Sequence, residues 1–133
     1  MKRILSTVIL FLLVLTTLTS CSGDAYSFEK SIDEIKSIEI VSAENSLEFT
    51  IIKTLSEGEK ESFIEQFKKI KFYQYFGDPS RVYGNTIKVE YSNGDYEMIC
   101  SYTAEYVKNG NVHFLFKRCD EEEFNELLDN FFQ

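Results

Sequence analysis

The sequence predicts a single small α+β domain: an antiparallel sheet of about five strands in ββαβββα order, with two helices packed on one face. Three observations carry this prediction. Two stretches, 56–70 and 120–132, place apolar residues at helical spacing behind a capping signal. Two others, 37–51 and 87–117, alternate apolar and polar residues around turn-forming pairs. The chain has 133 residues, and without residues 1–20 it keeps a one-domain length able to bury about two-thirds of its unfolded surface.

The first 20 residues form a separate unit. Lys2 and Arg3 give a positive start, and 4–15 is apolar apart from Ser6 and Thr7. The run closes on Thr16-Thr17-Leu18-Thr19-Ser20-Cys21. This is the layout of a secretory leader, since its apolar core falls short of the roughly 20 residues a membrane-spanning helix needs. Two plainer readings stand beside it: a leader in which Cys21 is incidental, and an uncleaved N-terminal anchor.

Leu18-Thr19-Ser20-Cys21 resembles the lipobox of bacterial lipoproteins, with leucine three places before the cysteine and serine just before it. The resemblance implies cleavage between Ser20 and Cys21 and a diacylglyceryl group held on Cys21 through a thioether. The membrane is then a partner through that lipid, and the domain faces outside the cytoplasm. Two acyl chains anchor firmly where one binds marginally. On this reading 1–20 is removed, 21–31 is a lipidated tether that lifts the domain off the bilayer, and 32–133 is the domain.

Along the mature chain, Ser31-Ile32-Asp33-Glu34 has the spacing to cap one helical turn. Ile38 and Ile40, then Leu47, Phe49 and Ile51, alternate with polar residues about the turn-like Ala43-Glu44-Asn45-Ser46, predicting a hairpin with one buried face. Ser56-Glu57-Gly58-Glu59 opens a helix whose stripe is Phe63, Ile64, Phe67 and Ile70. Gly77-Asp78-Pro79 stops any continuation. Ile87, Val89 and Tyr91 precede Asn93-Gly94, and Tyr96, Met98, Cys100 and Tyr102 follow it. A two-residue type I′ turn there sets Tyr91 opposite Tyr96, Val89 opposite Met98 and Ile87 opposite Cys100, with Glu90 facing Glu97 on the outside. Asn109-Gly110 returns a strand, Val112 to Lys117, beside 100–107. Asp120-Glu121-Glu122-Glu123 opens the last helix, with stripe residues Phe124, Leu127, Leu128, Phe131 and Phe132.

The leader holds two of the 14 basic residues and none of the 22 acidic ones, leaving 12 against 22 and a net charge of −10. Nucleic acid is disfavoured as a partner, because phosphate binding needs a basic surface. The same charge repels anionic headgroups, so membrane attachment falls to the lipid rather than to the domain surface.

Cys100 and Cys119 form an even pair in an exposed compartment. A two-residue turn at Asn109-Gly110 brings them opposite each other, within disulfide reach. It also turns Phe114 and Phe116 away from the face holding Cys100 and Tyr102. A register slipped by one sets Phe114 against Tyr106 and Phe116 against Ala104, and separates the cysteines. A face of burial outweighs one disulfide, which favours the slipped register and free, buried thiols.

Catalytic chemistry finds little footing. His113 is the sole histidine, and Cys100 sits mid-strand on an apolar face where a thiolate is costly. No cluster has metal-ligand spacing, no Gly-rich loop matches a phosphate cradle, and no cofactor motif is present. Glu121-Glu122-Glu123 suits a solvated helix start better than a cation site. The residues without a period are 72–84, rich in aromatics and holding the only proline. Here Phe72, Phe76 and Tyr83 serve as cover for the sheet edge on one reading. On the other, Tyr73, Tyr75, Asp78, Arg81 and Tyr83 form a recognition loop, since tyrosine gives broad contact at low entropy cost.

The mature chain is similar to the short lipoproteins of low-GC Gram-positive bacteria, whose domains share its helix–Gly-Asp-Pro–hairpin punctuation. That resemblance carries no agreed activity and supplies no functional residues beyond the lipobox. The resulting expectation is a non-enzymatic, lipid-anchored binding module for an envelope protein or small ligand. A small inhibitor or immunity-type protein acting on an envelope enzyme is the alternative, and an enzyme the distant one.

Overall fold

A computed structural model describes residues 23–132; the leader, Ser20 and Cys21 lie outside the described residues. In order come β1 (Asp24–Ala25), a 3-10 turn (Ile32–Glu34), β2 (Ile35–Ala43), β3 (Phe49–Thr54) and α1 (Glu57–Phe67). Then follow β4 (Lys71–Gln74), β5 (Gly84–Tyr91), β6 (Tyr96–Ile99), β7 (Ala104–Lys108), β8 (Asn111–Phe114), β9 (Lys117–Arg118) and α2 (Glu121–Asp129). Six strands make an antiparallel sheet ordered β3-β2-β5-β6-β7-β8, and three make a smaller one ordered β1-β4-β9. The domain is α+β with two helices, as the sequence predicts. The single five-stranded sheet is replaced by these two.

Both helices start where their caps require. Ser56 Oγ accepts from the Glu59 N–H at 3.3 Å while Glu59 Oε2 accepts from the Ser56 N–H at 2.9 Å. Asp120 Oδ1 accepts from the Glu123 N–H at 3.0 Å. Phe63, Ile64 and Phe67 of α1 and Phe124, Leu127 and Leu128 of α2 enter one core, meeting where Phe63 packs edge-on to Phe131 at 5.5 Å. The sheet brings to that core the rows Ile38–Val89 and Ile40–Ile87–Ile99–Ala104. Phe132, predicted on the α2 stripe, is exposed instead.

The first hairpin forms with its turn closed by Asn45, whose Oδ1 accepts from the N–H groups of Leu47 and Glu48 at 2.8 and 3.0 Å. Its second strand does not bury the predicted face. β3 is an edge strand with a bulge opposite Ile40–Val41, and Leu47, Ile51 and Ile52 are about half exposed.

The second hairpin is offset by one residue from the predicted register. Ile87 pairs with Ile99, Lys88 with Met98, Val89 with Glu97 and Glu90 with Tyr96. The connection is a three-residue loop, with the Gly94 N–H on Tyr91 O and the Tyr91 N–H on Asp95 O, both at 2.9 Å. Only Gly94 has positive φ there, at 91°. A type I′ turn needs it at both central residues, and Asn93 is instead held by paired bonds with Asp95. Glu97 therefore does not face Glu90. It moves to the core side.

The predicted long strand 96–107 is two strands. The chain reverses at 100–103, where the Cys100 N–H bonds Thr103 O at 3.0 Å, and β7 returns beside β6 with Ile99 opposite Ala104. The third hairpin takes the two-residue turn, with φ of 51° at Asn109 and 77° at Gly110. Glu105 thus pairs with Phe114 and Tyr106 with His113, overturning the slipped register. The burial that favoured the slip is supplied differently. Phe116, at φ 52°, turns the chain out of the large sheet, and its ring packs 5.6 Å from Tyr75. That turn also delivers the Cys119 N–H to Ser101 O rather than placing Cys119 opposite Cys100, and both cysteines are free thiols.

The expected tether is largely folded. Asp24 and Ala25 pair with Phe72 and Lys71 of β4, Tyr26 is 6% exposed, and Phe28 packs on the core.

Free thiols at both positions make a direct prediction. Denatured without reductant, the protein should yield both Cys100 and Cys119 to a thiol reagent, with no further gain after reduction. A gain of two thiols on reduction would show a bridge that these registers do not form.

Candidate functional site

The segment joining β4 to β5 runs past the β6–β7 turn and is pinned by side chains from around it. Thr103 Oγ1 donates to Ser80 O at 3.0 Å and so is left to accept from the Tyr75 hydroxyl, also at 3.0 Å. Glu105 accepts from the Val82 N–H at 3.3 Å, and the Tyr102 hydroxyl donates to Tyr83 O at 3.1 Å. Val82 is fully buried. Burial raises the Glu105 pKa, with the Val82 N–H and Arg81 partly opposing it.

Along and beside this segment several rings face water. Phe76 is 95% exposed and Tyr83 64%; Tyr73 on β4 and Tyr102 on the β6–β7 turn are about two-fifths exposed. Exposed rings on a segment held at both ends by side-chain bonds suit a pre-organised binding loop.

The predicted recognition residues separate into two groups. Tyr73, Asp78, Arg81 and Tyr83 are exposed on this segment. Tyr75 is instead half-buried and structural, its N–H on Phe116 O at 3.1 Å and its ring 5.6 Å beneath the Arg118 guanidinium. Phe76 is the outermost ring, not edge cover. The Gly77-Asp78-Pro79 turn directly after it was the signal for a loop tip.

A second cluster was missed because it depends on the hairpin register. The Glu97 carboxylate, fully buried, accepts from the Tyr26 hydroxyl at 2.6 Å, the Glu29 N–H at 3.0 Å and the Tyr91 hydroxyl. Burial raises its pKa above the ordinary glutamate value, and the donated bonds only partly offset this. On the opposite face Lys88 lies between Glu39 and Glu90, at 3.1 and 3.0 Å, with the rings of Phe49 and Tyr96 within 5.3 Å. Burial alone would depress Lys88, but the bonds to Glu90 and Glu39 outweigh it and hold the pKa above its usual value.

His113 is exposed beside Tyr106. Burial pushes the Cys100 thiol up and carries Cys119 to about 12, so both stay protonated at neutral pH. Glu121 and Glu122 border an open groove along α2, and among the described residues no group of three or more His, Cys, Asp or Glu side chains is placed to hold a metal ion. No helix among the described residues is long and apolar enough to cross a membrane. Comparison with protein-family models, with curated proteins and with solved structures finds no match.

The Glu97 cluster sets a pH-dependent stability. Its raised pKa means the folded state holds this proton more tightly than the unfolded chain. The contribution is therefore complete below the free glutamate value and fades as pH rises through the raised one. Glu97→Gln turns an amide N–H₂ toward hydroxyl or N–H donors and should cost about 1–3 kcal/mol. The gap to wild type should be widest at acid pH and narrow toward neutrality in denaturant unfolding. A gap that widens with pH would refute the assignment.

Proposed function

We propose that this protein is a lipid-anchored, extracytoplasmic binding module that engages an envelope component through the aromatic loop between β4 and β5. The observation that carries the reading is the near-complete exposure of Phe76 on a loop held on one side at Tyr75 and on the other at Ser80, Val82 and Tyr83. A loop that served only to cover the sheet would turn Phe76 inward, as Val82 is turned. The lipobox-like Leu18-Thr19-Ser20-Cys21 supports the anchoring half of the reading.

Two measurements test the two halves. Cells fed an alkyne fatty acid should label the wild-type protein and leave Cys21→Ala unlabelled; an unlabelled wild type would end the anchoring claim. The Phe76→Ala/Tyr83→Ala double variant should bind envelope material at least about tenfold more weakly, as loss of aromatic anchors does. Its melting temperature should hardly move, because the loop's own bonds use Tyr83 O and not these rings. Undiminished binding would shift the site elsewhere.

A further inference from the structure

The aromatic loop leaves the small sheet close to Gly23, and this suggests what the loop touches. β1 runs antiparallel to β4 with Asp24 opposite Phe72 and Ala25 opposite Lys71. That register sets Gly23 beside Tyr73, on the side of β4 from which Phe76 departs. Gly23 shows how close the passage is. A Cβ added there would lie 2.8 Å from the Phe72 carbonyl oxygen and 2.8 Å from the Tyr73 ring. The backbone is threaded against that ring.

In the sequence Cys21 stands two residues before Gly23, and two residues of chain span at most about 7 Å. The headgroup layer of a bilayer is roughly 5–8 Å deep on each side. A lipid on Cys21 thus brings Tyr73 to the headgroups, and no long tether intervenes to hold the domain away.

The surface there suits that position. Tyr73 is a ring of the kind that settles at a membrane–water boundary, and Phe76 offers an apolar ring to bury beside it. The charge is also unlike that of the whole domain. Lys68, Lys69, Lys71, Arg81 and Arg118 are exposed on or beside β4, its following loop and β9, against the acids Asp24, Asp78 and Asp120. A net charge of −10 conceals a locally positive face.

We infer that the outward face of the small sheet, with Tyr73 and the neighbouring Phe76, rests on an anionic bilayer surface, making the lipid surface the partner of the aromatic loop. This rests on the anchoring read from Cys21. Recognition combines ring insertion at the headgroups with attraction between the basic face and lipid phosphates.

The chain contains no tryptophan, so one substitution creates a unique reporter. Full-length protein isolated from membranes carries Phe76→Trp, Tyr73→Trp as a second probe, or Ile51→Trp on the far edge strand as a control. Each is reconstituted into vesicles of phosphatidylglycerol and brominated phosphatidylcholine in equal parts. Flotation reports anchoring, and tryptophan emission reports contact. The inference expects co-flotation, with Trp at 76 and 73 shifted to shorter wavelength and quenched by the brominated lipid several-fold more than Trp at 51. Adding Lys71→Glu and Arg118→Glu should reduce that quenching. If the protein floats while Trp at 76 and 73 stays open to aqueous acrylamide and unquenched by lipid, the membrane contact is refuted, the anchor stands, and the loop is free for a protein partner. If the protein does not float, the anchor and the contact fall together.

Discussion

The three-residue loop Ser92-Asn93-Gly94 sets a register on which much of the molecule depends. One residue fewer would return β6 with Met98 toward the core and Glu97 toward solvent. With the loop as it is, Glu97 lies opposite Val89 on the buried side, where a carboxylate is tolerable only if its oxygens are satisfied. Tyr91 comes from the same hairpin. Tyr26 and the Glu29 N–H come from the N-terminal segment. A charge placed by a turn thus draws residues 24–29 onto the fold, and the β1 pairing with β4 follows.

Each face of that hairpin carries one buried charged side chain. Glu97 is closed by hydroxyls, and Lys88 by two carboxylates and two rings. Neither arrangement is a strong source of stability, because desolvation consumes most of the attraction. Their effect is on uniqueness. A slip of either strand would strand one charge without partners, a cost that an all-apolar hairpin would not impose.

The helices were legible because their caps are local. Ser56 with Glu59, and Asp120 with the Glu123 N–H, need only the residues between them. Strand registers were not legible to the same degree. Asn93-Gly94 and Asn109-Gly110 are the same dipeptide, yet the first builds a three-residue loop and the second a two-residue turn. The difference lies in Asp95, which holds Asn93 out of the left-handed region while Asn109 enters it. The reversal at 100–103 has no glycine or proline to mark it, and β1, β4 and β9 are too short to show a period. Of the candidate site, the segment 72–84 was legible from composition alone. Which rings face outward depended on Thr103, Glu105 and Tyr102, all distant in sequence.

The small sheet joins parts of the chain that are made far apart in time. Its strands are Asp24–Ala25, Lys71–Gln74 and Lys117–Arg118, so the central strand gains its last partner only near the end of synthesis. Until then Asp24–Ala25 and Lys71–Gln74 have only each other, and a pairing two residues long is marginal by itself. Closing such long loops comes late in folding, so Tyr26 settles against Phe72 only as Lys117–Arg118 arrives to complete the sheet.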